Sequence, residues 1–406
     1  MVKRLNILLA LAVGIAAPRA VAMAADGGSS PASVQRIITF KGEVAASVRL
    51  QIVQSYKGTV VHDLGLINAI AAEFPAAGIR TAEVSMKARP EVVRIEADFR
   101  QKWIEAHVPA FADVELPAVN AIIRPFKAER HMSEADAEIP WGIARVDAPA
   151  AWAKTQGAGV NVGVVDTGID FDHPDLKANI KGGWNATNKT DNFKDDNGHG
   201  THVSGTIAAV RDGQGVVGVA PKANLYGIKV LDANGSGTFA DVIAGIQWTV
   251  DHKMDVVNMS LGASKGTDAL AEVMKAAAKA GVTIVAAAGN SGGAVGFPAA
   301  YPEAIAVSAS DSKDALAYFS SRGPQVAFIA PGVNVHSTYM GGGYDDLSGT
   351  SMACPHVVGL SALAVAKGAH GPDKIRAALK SAATPLGGLT TDQQGSGLVS
   401  AGKLVQ

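Results

Sequence analysis

The sequence has little cysteine, no excess of charge of either sign and no later segment that looks transmembrane. A single cysteine among 406 residues excludes an internal disulfide, so stability must come from the core, with a bound metal as a further possible source. Lysine and arginine together number 36 against 37 acidic residues, and no basic stripe occurs, which argues against nucleic acid as a partner. Hydrophobic residues make up 48% of the chain, enough for a large core.

A short apolar run lies at the start of the chain. Lys3 and Arg4 precede a largely apolar stretch over residues 5–17, and small residues follow up to Ala25. A basic start, a short apolar segment and an A-x-A-like site are typical of a secretory signal peptide, and the run is too short for a comfortable membrane span. We therefore predict a signal peptide over residues 1–24, a secreted extracellular protein and no permanent membrane anchor.

Residues 25–100 are predicted to form a small α+β domain of their own. Apolar periodicities of two and of 3.6 alternate in the order βαββαβ. The predicted elements are Arg36–Phe40, Glu43–Gln54, Gly58–Val61, Leu66–Phe74, Ala76–Ala88 and Val92–Glu96. The segment 101–137, with its charge runs and three prolines, is predicted to be a linker.

The remainder, residues 138–406, alternates apolar strands with helical stretches. This pattern predicts an α/β fold, a doubly wound and mostly parallel sheet with helices on both faces. The predicted strands are Val162–Val165, Leu225–Val230, Val256–Met259, Thr283–Ala287 and Ile305–Ser308, and helices are predicted over Val242–Asp251 and Asp268–Ala280.

Ser351 has the setting of a nucleophile. Gly349 and Thr350 precede it, and a long apolar run up to Gly368 reads as a buried helix. Near a helix N-terminus, free N–H groups and the helix dipole favour developing negative charge. An N-cap serine would give the same local pattern, so this motif needs support from elsewhere.

Two upstream motifs give that support. Asp166 ends a short apolar strand before a glycine turn, and open α/β sheets carry functional groups at that edge. His199 lies between two glycines at the start of another apolar helical run. A serine hydroxyl needs an imidazole to take its proton, and the imidazole needs a carboxylate on its other nitrogen. Singly, Asp166 fits a helix cap or metal ligand and His199 a core histidine.

These motifs together resemble the three signatures of the subtilisin-like serine proteases, in that family's own order Asp, His, Ser. The resemblance covers residues 139–404 and continues in 218–221, 258–262 and 286–290. It implies a serine endopeptidase with Asp166, His199 and Ser351 as its catalytic triad. It also implies that the amide of Asn290, which follows an apolar strand, donates to the oxyanion.

The resemblance also implies how substrate binds. The pocket before the scissile bond would be walled by three segments that leave an open slot and contain no acid, which predicts a broad preference for large apolar residues. An edge strand would pair with the substrate backbone by β-augmentation, and Phe239 nearby would narrow a more distant pocket. The implied substrate-binding residues are Ser260, Leu261, Gly262, Gly235, Ser236, Gly237, Ala288, Gly289 and Gly296.

By the same resemblance, residues 25–100 look like an inhibitory propeptide, which would act on its own protease as inhibitor and folding chaperone. The alternative is an unrelated α+β adaptor. Such a precursor would process itself, and we place the maturation cut in the Arg124–Ala137 region. Ile139 to Ile143 resembles the first ordered segment of the mature enzyme.

Structural calcium is also implied. Asp175 matches a family ligand, as does the loop 210–216, and oxygen-rich sets of this kind suit Ca²⁺. In that loop Asp212 would give a side-chain oxygen, and Val210, Gln214 and Val216 their backbone carbonyls. A glutamine that the family often has is replaced by Ala137 here. Two solvated loop acids are the alternative interpretation.

Three further side chains near the motifs are predicted to be structural: Cys354 as a packed core thiol, and His202 and His356 as buried histidines. The expected protein is thus a secreted, self-processing serine endopeptidase acting on protein or peptide substrates. Two other functions compete with it. A proteolytically dead binding protein on this scaffold should lack a triad residue, and none is missing. An esterase of the α/β-hydrolase type should place its serine in G-x-S-x-G, which Ser351 lacks.

Overall fold

A computed structural model describes residues 32–104 and 139–406. The predicted signal peptide, the residues 105–137 of the predicted linker and the Arg124–Ala137 region lie outside these ranges. Within them, no helix combines the length and the apolar character needed to cross a membrane.

The first unit is a four-stranded antiparallel sheet with two helices, in the order β2-β3-β1-β4. Its strands and helices follow one another as β, α, β, β, α, β. They are β1 Ser33–Phe40, α1 Ala46–Ser55, β2 Thr59–Leu64, β3 Ala69–Pro75, α2 Ile79–Lys87 and β4 Val92–Asp98. One face of this sheet, with Ile38 and Ile70, packs against the two helices, and residues of the other face, such as Ile37 and Ala71, join the core of the large unit.

The large unit is built on a nine-stranded sheet whose strands run parallel except for the last pair, β16 and β17. Continuous apolar runs such as 283–287 are buried on both faces, as central parallel strands require. This confirms the predicted doubly wound α/β fold. Strand β5, which precedes this unit, is Arg100–Lys102. The strands of the unit itself are β6 Asn161–Asp166, β7 Ile180–Asn185, β8 Asn224–Lys229, β9 Ser236–Thr238, β10 Val256–Met259, β11 Thr283–Ala287, β12 Ala304–Ser310, β13 Val326–Pro331, β14 Val335–Tyr339, β15 Gly343–Leu347, β16 Ala383–Thr384 and β17 Leu398–Val399.

Helices cover both faces of this sheet, and each face has its own apolar core. The central helix α8 is apolar all round and buried throughout, which only a helix at the centre of a core can be. The helices are α3 Trp141–Arg145, α4 Ala148–Ala151, α5 His199–Ala208, α6 Phe239–Asp251, α7 Asp268–Lys279, α8 Thr350–Ala366, α9 Pro372–Ala382, α10 Thr391–Gln394 and α11 Ala401–Leu404.

Several predicted boundaries need correction, and among them the starts of β1, α1 and α2 each lie three residues from the predicted Arg36, Glu43 and Ala76. The strand predicted from Leu66 begins at Ala69, because residues 65–67 form a 3₁₀ turn that ends in a left-handed Asn68. The helix predicted from Val242 begins at Phe239, because Thr238 caps it and forms a capping box with Asp241. The linker predicted from residue 101 begins later, because Arg100–Lys102 forms strand β5.

The first unit docks on α6 and α7 through the N-termini of both helices. Asp98 Oδ1 accepts a hydrogen bond from Ala240 N at 3.1 Å, and Glu96 Oε1 accepts one from Asp268 N at 3.0 Å. A carboxylate at a helix N-terminus satisfies free N–H groups and complements the helix dipole. The chain then continues into β5, which reaches the carboxyl edge of the large sheet.

Candidate active site

Asp166 and His199 meet at the carboxyl edge of the sheet. Asp166 is the last residue of β6, and its Oδ1 accepts a hydrogen bond from Thr167 N at 2.7 Å. His199 opens α5, and its Nδ1 lies 2.8 and 3.0 Å from the two oxygens of Asp166. Because a carboxylate can only accept, Nδ1 carries the proton and Nε2 is left as the basic nitrogen.

Two glycines allow this approach. Gly168 turns the chain after Asp166 with φ of +109°, a region that other residues rarely adopt. A Cβ on Gly200 would lie 2.0 Å from the carbonyl oxygen of Gly168, so only glycine lets α5 come this close. The glycines flanking the two motifs therefore set the distance between carboxylate and imidazole.

Ser351 is the second residue of α8 and lies at the same edge. Its Oγ donates to the carbonyl oxygen of Ser260 at 3.1 Å, while Ser260 Oγ donates to Ser351 O at 2.7 Å. His199 Nε2 is buried and has no hydrogen-bond partner among the described residues. No hydrogen bond therefore joins the serine hydroxyl to the imidazole in this structure.

The environment of His199 favours the protonated ring. Burial by itself lowers the pKa, but the charge of Asp166, its hydrogen bond and the charge of Asp195 outweigh burial, so the pKa of His199 is raised above its ordinary value. A raised pKa suits a group that must accept a proton from a serine.

Asn290 lies beside Ser351, in the position that the family resemblance implies. Its Oδ1 accepts hydrogen bonds from Thr350 N at 2.8 Å and from Thr350 Oγ1 at 2.9 Å. With the oxygen used in this way, Nδ2 is the donating end of the amide, and it lies next to Gly349. The amide can therefore serve an oxyanion formed beside Ser351.

A cleft of 460 Å³ adjoins Ser351 and Asn290. Among the predicted substrate-binding residues, Leu261, Gly262, Gly289 and Gly296 line it, whereas Ser260 and Ala288 lie behind its wall. No aspartate or glutamate is among the described residues that line this cleft. Apart from Gln101, Lys102 and Trp103 of the first unit, its lining residues are apolar or neutral, so the walls offer no counter-charge to a basic side chain.

Strand β5 occupies the groove that leads to this cleft. It pairs antiparallel with β9, with Gln101 opposite Gly237 and Lys102 opposite Ser236. Trp103 continues the strand, donating from N to Gly235 O and accepting from Gly262 N, each at 2.9 Å. A chain segment held on both edges in this way has the geometry of a bound peptide.

Trp103 anchors that segment. Its ring is 1% exposed and packs edge-on against Phe239, with centroids 4.8 Å apart. The indole N–H donates to Gly237 O at 3.0 Å. Sequence analysis placed Phe239 by a distant pocket, but it missed Trp103, whose only signal was an apolar pair, Trp103-Ile104, in a charged segment.

Asp195 is a second buried side chain beside the site that the sequence did not reveal. It lies four residues before His199 and is buried, whereas its neighbour Asp196 is exposed. Its two oxygens accept five hydrogen bonds from the residues around Asp166 and His199. Two adjacent aspartates read alike in a sequence, so no signal separated them.

Of the predicted calcium ligands, Val210 and Val216 contact Asp175 through their backbone N–H groups. Val210 N donates to Asp175 O at 2.8 Å, and Asp175 Oδ2 accepts from Val216 N at 2.9 Å and from Tyr344 Oη at 3.0 Å. Asp212 is exposed, and its Oδ1 accepts from Gln214 N at 3.1 Å. The described residues hold no group of three or more His, Cys, Asp or Glu side chains suited to a metal, so a cation here would depend on main-chain carbonyls. The buried Asp175 carboxylate beside the loop 210–216 supplies the kind of oxygen ligand that calcium takes.

The remaining polar side chains near the site are buried. Cys354 is buried and donates to Val285 O at 3.4 Å, and burial raises the pKa of its thiol to about 12. His356 Nδ1 donates to Met352 O at 2.9 Å, and burial lowers the pKa of His356 to about 4. His202 Nε2 contacts the carbonyl oxygens of Val335 and Asp345 at 3.0 and 3.1 Å.

A buried carboxylate–imidazole pair, a serine at a helix N-terminus and an amide donor beside it define the site of a serine hydrolase. Known proteins narrow this class. The family model described as the subtilase family matches residues 157–397. Subtilisin Savinase of Lederbergia lenta is 48% identical over 266 residues, which cover 65% of this chain and 97% of that protein.

Two further relatives agree. Alkaline elastase YaB of a Bacillus species is 48% identical over 277 residues, covering 66% of this chain and 72% of its own. Subtilisin E of Bacillus subtilis is 44% identical over 281 residues, covering 67% and 73%. The chain therefore belongs to the subtilase family, and it is a serine endopeptidase that acts on protein or peptide substrates.

Proposed function

We propose that the protein is a secreted endopeptidase, made as a self-processing precursor, that cleaves after large apolar residues by way of an acyl-enzyme. The observation that carries this proposal is the groove beside Ser351, which holds a segment of the chain's own first unit as an antiparallel strand. Secretion rests on the signal-peptide pattern of residues 1–24.

In the proposed mechanism Ser351 Oγ rotates from Ser260 O to His199 Nε2 and attacks the substrate carbonyl. The serine proton passes to Nε2, and Asp166 holds the ring and stabilises the imidazolium. The oxyanion receives hydrogen bonds from Asn290 Nδ2 and from the backbone N–H of Ser351. The imidazolium then protonates the leaving amine, and water hydrolyses the acyl-enzyme by the reverse sequence.

The preference for large apolar residues is supported by the cleft. Gly262, Gly289 and Gly296 leave room for a large side chain, and Leu261 and Val295 give an apolar lining. A lysine or arginine would enter without a carboxylate partner, at the cost of burying an unpaired charge. A peptide-library profile dominated by lysine or arginine before the cut would refute this proposal.

The catalytic roles are tested with Ser351→Ala. Wild type should bind a fluorophosphonate covalently and hydrolyse both casein and small esters, whereas Ser351→Ala should do neither. Ser381→Ala, which removes an exposed hydroxyl on α9, is the matched control and should behave as wild type. Casein hydrolysis that survives in Ser351→Ala would refute the mechanism, and ester hydrolysis without casein hydrolysis would favour an esterase.

The role of residues 25–100 as an inhibitory propeptide is supported by the docking contacts. His62 Nε2 lies 2.9 Å from Asp241 Oδ1, and both side chains are buried. Arg94 donates to Glu272 at 3.0 Å, and Gln247 accepts from Leu66 N at 2.9 Å. An unrelated adaptor domain would not be expected to place its last strand in the substrate groove.

Self-processing is tested by the fate of the precursor. We expect Ser351→Ala to accumulate uncut, and N-terminal sequencing of processed wild type should locate a first cut close to the groove-bound residues 100–104. The Arg124–Ala137 region stays the site predicted for final maturation, and the same sequencing tests it. Processing of purified Ser351→Ala would refute self-cleavage.

The chaperone role is tested by refolding residues 131–406 with and without the separate segment 25–130. A parallel sheet joins distant parts of the chain and folds slowly, and a preformed surface against α6 and α7 would lower that barrier. Equal yields of active enzyme in both samples would refute the chaperone role.

Calcium is proposed as a structural ligand of Asp175 and Asp212 together with the carbonyls of Val210, Gln214 and Val216. Support comes from the fold of loop 210–216 around the buried Asp175 carboxylate. A bound Ca²⁺ would stabilise this loop, and it would take no part in the reaction at Ser351.

A further inference from the structure

Asp195 is buried between the two elements that carry Asp166 and His199. Its Oδ1 accepts from Thr167 Oγ1 at 2.9 Å, and Thr167 directly follows Asp166. Its Oδ2 accepts from Thr201 N at 2.9 Å and from Thr201 Oγ1 at 2.6 Å, in the first turn of α5.

The same carboxylate also holds the turn that leads into α5. Oδ1 accepts from the backbone N–H groups of Asn197 and Gly198, each at 3.0 Å. Thr167 Oγ1 in turn accepts from Gly200 N at 2.9 Å, so the bonds form a closed loop around the residue that follows His199. A buried carboxylate with this many donors is fully satisfied and rigid.

We propose that Asp195 is a positioning residue for the reaction: its carboxylate fixes the turn after Asp166 to the first turn of α5, and its charge stabilises the imidazolium of His199. The inference rests on the catalytic roles proposed above. The raised pKa of His199, to which the charge of Asp195 contributes, supports it.

Other charged groups around His199 do not duplicate this role. From β8, Lys229 Nζ donates to Thr167 O at 2.7 Å and to Asp196 Oδ1 at 2.6 Å, so this cation has its own carboxylate partner. From β14, Tyr339 Oη donates to Asn197 O at 3.1 Å, and burial raises the pKa of Tyr339, which keeps it neutral. The groups from α8 are Ser351 and the neutral thiol of Cys354.

The test uses the full chain, processed to completion and counted by fluorophosphonate titration. In Asp195→Asn the loss of a negative charge should lower the pKa of His199, so the acid limb of the kcat/KM profile should move to lower pH by about half a unit to one unit. kcat should fall by about ten- to a hundredfold because the ring is held less well, with KM nearly unchanged. Asp191→Asn removes the same charge from an exposed site in the same loop and should leave both values unchanged.

Thr167→Val separates the two roles, because it removes the hydroxyl that joins the Asp166 turn to Asp195 but keeps both charges. We expect kcat to fall about tenfold with the acid limb unmoved, and Thr167→Ser to restore kcat. An unmoved acid limb in Asp195→Asn would overturn the electrostatic role, and wild-type kcat in Thr167→Val would overturn the positioning role. If Asp195→Asn does not fold, Thr167→Val still tests the positioning role. Ser351→Ala abolishes activity in either case, so failure here leaves the catalytic assignment intact.

Discussion

Truncating Trp103, which follows β5, should weaken inhibition by the first unit more than a truncation at any residue of β5 itself. The side chain lies outside the four-stranded sheet and is buried by the protease: Phe239 covers its ring, and Gly237 O accepts its N–H. In the separate segment it would be exposed, so all of its burial contributes to binding.

The magnitude follows from the buried area. A tryptophan buries about 150–250 Å², and replacement by alanine forfeits most of it at roughly 25 cal/mol per Å². That gives about 4 kcal/mol, and partial relaxation of the site around Phe239 reduces the expected loss to about 3 kcal/mol. Since about 1.4 kcal/mol is tenfold in affinity, Ki should rise by about a hundredfold. Trp103→Phe keeps the aromatic packing and loses only the N–H donor, so it should raise Ki by about tenfold.

The assay adds residues 32–104, made as a separate chain, to mature enzyme hydrolysing a chromogenic peptide anilide. Val84→Ala is the matched control, because Val84 is 70% exposed on α2 and should inhibit like wild type. Circular dichroism of each free segment would reveal a change in its own folding. An unchanged Ki for Trp103→Ala would show that β5 does not occupy the groove in solution, and the proposed inhibition would lose its structural basis.

Three further predictions concern the oxyanion, pH and calcium. Asn290→Ala should lower kcat by about a hundred- to a thousandfold with little change in KM, which is the loss known for removal of the oxyanion-binding asparagine of a subtilisin; single-turnover kinetics would test it. Burial, with a smaller contribution from Asp241, raises the pKa of Asp98 from its ordinary 3.8 to about 7 in the docked state. Docking therefore favours the protonated form of Asp98, so the Ki of the first unit should be lowest in acid and rise as the pH increases from about 4 to about 7. Asp98→Asn should flatten this dependence, which is tested by measuring Ki at pH 5 and pH 8. Calcium should raise Tm by about 5 °C over a chelator, and Asp175→Asn should abolish the difference in a thermal melt.

The sequence predicted those parts of the site that follow from strand ends and helix starts. Asp166 and Asn290 each follow an apolar strand, and parallel strands bring their carboxyl ends to one edge. Ser351 precedes an apolar run that became the buried helix α8. In each case a local pattern determined the position, and the parallel topology then placed these residues together.

The sequence could not predict features that depend on burial by distant residues. Asp195 and Asp196 are adjacent, yet only Asp195 turns inward, because donors from Thr167 and Thr201 surround it. Trp103 lies in a charged segment, and its burial depends on Phe239, far along the chain. Pattern analysis considers each residue with its sequence neighbours, so it placed Trp103 in a linker and made no assignment for Asp195.

The orientation of Ser351 also lay beyond the sequence, and its energetics bear on the mechanism. Turning Oγ from Ser260 O to His199 Nε2 gives up one hydrogen bond, worth about 1 kcal/mol net. The same rotation gives His199 Nε2 a hydrogen-bond partner, and leaving a buried polar nitrogen without one costs about 1–3 kcal/mol of free energy. The rotation is therefore downhill or nearly neutral, so the orientation of Ser351 in this structure is no barrier to a productive complex.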